Sequence, residues 1–109
     1  MKISELAQKT GLTAINDYAD REVEGVYISD MVSDIITSAK RNSVVVTLQT
    51  HKSLIAAANL VAAAMVVIVK DRRPSDEVVE LATRTGIGIF TYPSDTWTFA
   101  RTLGQLGLP

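Results

Sequence analysis

Four short polar clusters follow apolar runs in this chain: Ser29-Asp30, Gln49-Thr50-His51-Lys52, Lys70-Asp71-Arg72-Arg73 and Ser94-Asp95-Thr96. Side chains of these types have defined chemistry at the start of a helix. Hydroxyls and carboxylates accept from its free N–H groups, while arginine, lysine and the helix N-terminus itself attract anions. In an open parallel sheet, loops that leave the carboxyl ends of the strands are where ligands bind. Gln49, Thr50, His51, Lys52, Asp71, Arg72, Arg73, Asp95 and Thr96 are therefore the candidate binding residues, for a small anionic ligand or a nucleotide.

Each candidate also has a plainer role. His51, the sole histidine, has the chemistry of a general base, but also that of a turn or cap residue. Arg72 and Arg73 can grip a phosphate or carboxylate bidentately, or stand solvated in a turn. Asp30, Asp34, Asp71 and Asp95 are dispersed along the chain, and capping accounts for Asp30 and Asp95. The expectation is therefore no metal, no cofactor and no catalytic residue. The chain has no G-x-x-x-x-G-K-[ST] phosphate loop, no G-x-S-x-G elbow and no H-E-x-x-H. Gly86-Ile87-Gly88 precedes a strand-like run, the wrong place for a phosphate cradle.

The elements that must position these clusters are legible from residue 43 onward. Ser43–Leu48 is β-branched and precedes a helical stretch, Ser53–Ala64. Met65–Val69 repeats the scheme, with Pro74 and then a helix from Asp76 that Ser75 can cap and Gly86 can stop. Ile87–Tyr92 is the next strand, and Thr96–Leu106 the next helix, capped by Ser94 or Asp95. Strands and helices alternating at this spacing predict βαβ units and a parallel sheet. The strand runs are apolar throughout, the pattern of a sheet covered on both faces. Before residue 43, the pattern predicts a helix at Ile3–Thr10 stopped by Gly11, an edge strand at Leu12–Asn16, a strand at Val23–Ser29, and a helix from about Met31 to Lys40 capped by Ser29 or Asp30. The fold class expected is α/β, three-layered, with a mainly parallel sheet of about five strands and helices on both faces.

Composition narrows the function. The 109 residues suit a single domain, residues 1–24 supplying an N-terminal helix and edge strand and residues 25–106 the core units. Eleven basic against twelve acidic residues leave a net charge of −1, without the basic excess by which nucleic-acid binders attract phosphate. Ser4–Thr13 imitates the first helix and turn of a helix-turn-helix, but Asn16–Asp20 carries two acids and no base where a recognition helix would follow. Leu54–Val69 is apolar apart from Asn59, yet shorter than the ~20 residues of a membrane-spanning helix. There is no cysteine, and MKISELAQKTGL lacks the apolar core of a secretory signal, so the expected compartment is the cytoplasm. Trp97 and Phe99 on the last helix are expected in the core or a subunit contact.

The order of motifs GVYISDMVSDIITSAK, VVVTLQTHKSLIAAANL, AMVVIVKDRRPSDEVVELA and GIGIFTYPSDTWTFARTLGQL, spanning Gly25–Leu106, resembles the DRTGG domain family. LQTH at Leu48–His51, Pro74 and the Thr91–Thr96 turn carry the likeness best, and LQTH resembles the small stand-alone members. The resemblance implies a fold like the N-terminal domain of HPr kinase/phosphorylase. Such domains also occur beside phosphotransacetylase catalytic domains and CBS-domain pyrophosphatases. The namesake Asp-Arg pair falls at Thr50-His51 and the Thr-Gly-Gly near Val69-Lys70-Asp71; none of the five is kept. The resemblance thus implies a regulatory or dimerising role rather than kinase activity. A homodimer, a small anionic or nucleotide ligand, and a larger metabolic enzyme or signalling kinase are the partners it suggests.

Overall fold

The computed structural model describes residues 1–108. Three consecutive strand–helix units set its plan. β2 (Gly25–Ile28) leads to α2 (Val32–Ser38), β3 (Ser43–Thr47) to α3 (Lys52–Leu60), and β4 (Met65–Ile68) to α4 (Asp76–Thr85). They are preceded by α1 (Ile3–Thr10) and β1 (Thr13–Ala14), and followed by β5 (Gly88–Thr91) and α5 (Thr96–Gln105). The sheet order is β1-β5-β4-β3-β2, with β2 to β5 mutually parallel and β1 antiparallel to β5. The expected three-layer α/β architecture is the one observed.

Because each crossover steps the same way across the sheet, the right-handed rule sends α2, α3 and α4 to one face. Ile35, Leu54, Ile55, Val78 and Ala82 pack there against Val45, Val66, Ile68 and Ile89. On the other face Ile3 and Leu6 of α1 and Phe99 and Leu103 of α5 meet Val44, Val46, Val67 and Phe90. Alternate residues of one strand thus serve opposite cores, which is why β3, β4 and β5 are buried along their whole length.

Helix ends follow local chemistry. Gly11 and Gly86 adopt the left-handed conformation that closes α1 and α4. α3 stops at Leu60, four residues before the expected end, because Ala62 turns left-handed at φ 56° and the Ala63 N–H donates back to Ala58 at 2.9 Å. The start of α2 also differs from expectation. Met31 occupies the cap position without a side-chain bond, and Asp30 is not a cap; Ser29 Oγ accepts only from the Met31 N–H, at 3.2 Å. After β1 the chain forms no recognition helix. Asn16 instead uses its amide as an extra strand residue, accepting from Ile89 N and donating to the Ile87 carbonyl, both at 2.8 Å. No helix of the described residues is long and apolar enough to cross a membrane.

Candidate functional site

The four polar loops emerge side by side at the carboxyl end of the parallel strands, and hydrogen bonds divide them into a closed half and an open half. β4 sends its chain to one face and β5 to the other, so their loops diverge where a crevice would form. A tight turn fills that place. Lys70 and Asp71 lie at φ 63° and 52°, and their N–H groups donate to Ser94 and Tyr92 carbonyls, each at 2.9 Å. Beside this stitch Asp95 caps α5, accepting from Thr98 N at 2.8 Å. The Thr98 bonds, with a smaller contribution from Lys70, hold its carboxyl below the usual aspartate range.

The open half lies between the β3–α3 loop and α4. Gln49, Thr50, His51 and Lys52 face Ser75, Glu77 and Val78 across a cleft of about 540 Å³. A smaller recess of about 260 Å³, lined by Asp30, Leu48, Gln49, Thr50 and Arg72, adjoins it through the shared Gln49-Thr50 wall. The loop is shaped by its own polar groups. Gln49 Oε1 accepts from Thr50 N and His51 N at 3.2 and 3.1 Å. His51 Nδ1 accepts from Ser53 N at 3.2 Å and lies 3.0 Å from Ser53 Oγ, so the imidazole caps α3. That bond requires an unprotonated Nδ1, which leaves the exposed Nε2 as the ring's donor.

Asp30 braces this loop from the neighbouring strand. Its Oδ1 accepts from Thr47 Oγ1 at 3.0 Å and from Leu48 N at 2.7 Å. Thr47 Oγ1 in turn accepts from Gln49 N at 3.0 Å. The anchor is one buried hydroxyl and one backbone amide, so the cleft wall is fixed before any ligand enters.

Of the nine residues singled out in the sequence, Gln49, Thr50, His51, Lys52 and Arg72 line these two recesses, while Asp71, Arg73, Asp95 and Thr96 do not. Asp30, Ser75 and Glu77 also line them: Asp30 belongs to one of the four polar clusters but not to the nine candidates, Ser75 is expected only as a cap, and Glu77 is not singled out by the sequence. Their one signal was position, directly after a strand or at a helix start. Among the described residues no three His, Cys, Asp or Glu side chains gather as metal ligands do. The chemistry on offer is polar recognition beside the positive end of α3, with Lys52 and Arg72 as cations and Glu77 as the opposing charge.

A family model described as "DRTGG domain" matches residues 5–106. No curated protein matches the chain. Among solved structures, it is similar to the CBS and DRTGG domains of the regulatory region of Clostridium perfringens pyrophosphatase, complexed with the activator diadenosine tetraphosphate. The two are 18% identical with a TM-score of 0.74, over 98% of this chain and 47% of that one. At that identity the likeness establishes the fold, and this chain spans about half of the longer structure.

Proposed function

This chain belongs to the DRTGG domain family, and from that premise we propose that it is a non-catalytic regulatory module whose cleft binds a small anionic ligand of the nucleotide class. The observation that carries the reading is the pair of recesses sharing the Gln49-Thr50 wall, with Lys52 in one and Arg72 in the other. Two cations on either side of a preformed polar wall suit a ligand with separated charges or a phosphate joined to a hydrogen-bonding base. The similar structure comes from a regulatory region in complex with a dinucleotide activator, which supports the class of ligand.

Melting of the wild-type chain against ATP, ADP, AMP, diadenosine tetraphosphate and inorganic phosphate tests this. A ligand at 100 times its Kd adds about 2.7 kcal/mol of stability. Arg72→Ala and Lys52→Ala should reduce that shift without lowering the unliganded melting temperature. Absence of any shift across the series would refute the reading.

A second reading rests on Trp97, which α5 leaves 68% exposed. An aromatic residue so placed suits an anchor for a larger enzyme or kinase. A partner retained by the wild type and lost by Trp97→Ala would favour it.

A further inference from the structure

We propose that the free edge of β2 pairs antiparallel with the same edge of a second copy of this chain, about a two-fold axis at Tyr27, joining the two sheets into one. The surface is separate from the cleft, and the inference stands independently of any ligand.

The two edges of the sheet are treated differently. The β5 edge is covered by β1 and then by the Asn16 amide. Among the described residues, β2 has β3 on one side and no strand on the other. Ser29 N donates to the Val46 carbonyl at 3.2 Å, so Ser29 faces β3, and alternation turns the N–H and C=O groups of Val26 and Ile28 outward. With Tyr27 on the axis, Val26 lies opposite Ile28 of the second copy, and both hydrogen-bonded pairs form. Gly25–Ile28 carries no proline or charge, the usual devices that block edge pairing.

The surroundings suit the same occupant. Of the five large apolar side chains left exposed among the described residues, Ile28, Met31 and Ile36 all fall on β2, α2 or the loop between them. A groove of about 580 Å³ runs beside the strand, with Lys40 and Arg41 at its N-terminal end. Asp34, on the first turn of α2, supplies the acid at the other end, its carboxylate accepting from Tyr27 Oη at 2.7 Å. An antiparallel two-fold brings the basic end of each copy to the acidic end of the other, whereas parallel pairing would set like against like. Glu24, the one acid at the basic end of the groove, is engaged by Asn42 Nδ2 at 2.9 Å.

Sedimentation velocity over a wide concentration range, with hydrogen exchange on the same samples, tests the proposal. The wild type should dimerise, and the Val26 and Ile28 amides should gain protection as concentration rises. Ile28→Lys should weaken dimerisation by roughly tenfold or more. Lys40→Glu/Arg41→Glu and Asp34→Lys should each fail to self-associate but form a heterodimer when mixed, an outcome that no loss of folding can imitate. A wild type that stays monomeric would overturn the proposal. So would a dimer indifferent to Ile28→Lys and abolished by Trp97→Ala, which would put the contact on α5.

Discussion

The N–H of Asp71 donates to the carbonyl of Tyr92 at 2.9 Å from a residue held at φ 52°, and Lys70 beside it, at φ 63°, reaches Ser94 at the same distance. The bonds close the gap between the β4 and β5 loops, and they require two successive left-handed residues. For L side chains that conformation costs about 1–2 kcal/mol each, a cost that aspartate bears better than lysine. Glycine is the residue such a turn suits. Lys70→Gly should therefore be neutral to stabilising by up to about 1 kcal/mol, the relief of strain being partly offset by unfolded-state entropy. Lys70→Val should destabilise by about 1–2 kcal/mol. Denaturant midpoints at unchanged slope give both signs, and a stabilising valine would contradict the strain argument.

Asp30 gives a second prediction. Its Oδ1 serves both Thr47 Oγ1 and Leu48 N, and Thr47 is buried. Asp30→Ala strands two donors and should cost about 1–3 kcal/mol, while Asp30→Asn keeps an acceptor and should cost less. The alanine variant should also loosen the Gln49-Thr50 wall, visible as faster amide exchange at Leu48 and Gln49. Equal effects from alanine and asparagine would mean that the carboxylate acts by charge rather than by its hydrogen bonds.

How much of this was legible follows from where the information lies. The strands β3, β4 and β5 could be read because burial on both faces demands unbroken apolar runs. The ends of α1 and α4 could be read because Gly11 and Gly86 fill left-handed positions. The end of α3 could not, because an alanine, Ala62, takes the same conformation. Ser75 and Asp95 cap the helices expected of them. Asp30 stands in an equally plausible place, yet its partners lie on the next strand, at a sequence distance no local rule reaches. The polar loops expected after the strands do lie at the carboxyl ends of β2 to β5. Their division into an open cleft at Gln49–Lys52 and a stitched half at Lys70–Thr96 depends on backbone bonds between loops, which side-chain identity does not encode.

Acid should destabilise the fold through particular carboxylates. Hydrogen bonds from Ser4 hold Asp20, from Tyr27 hold Asp34, and from Thr98 hold Asp95 below the ordinary aspartate value of 3.8. A depressed folded-state pKa contributes stability that is present above the unfolded value and lost as pH falls through the folded one. Melting temperature should therefore be flat in these groups above about pH 5 and decline below about pH 4. Asp95→Asn keeps a capping oxygen for Thr98 N, so it should lower the plateau slightly and make the acid decline shallower. A decline with unchanged slope would remove Asp95 from the set.

Gly88 begins β5 at a point where strand and loop crowd together. A Cβ built there would lie 2.8 Å from Phe90 Cε1 and 2.9 Å from Tyr18 Cβ. Phe90 is fully buried in the α1/α5 core, and Tyr18 packs edge-on against it with ring centroids 5.0 Å apart. Neither atom yields easily: the ring is enclosed, and the Tyr18 Cβ is fixed to the backbone that carries the loop after β1. Gly88→Ala should thus destabilise by about 1–3 kcal/mol, the range for overpacking a filled core. If the strain is relieved by displacing Tyr18, near-ultraviolet dichroism should change and exchange should quicken at Ile89, whose amide Asn16 accepts. Pairing Gly88→Ala with Tyr18→Ala should then recover part of the loss, because the second change does not remove the Cβ contact but frees the loop from the Phe90 ring. A fully additive double variant would mean that Phe90, and not the Tyr18 loop, bears the strain.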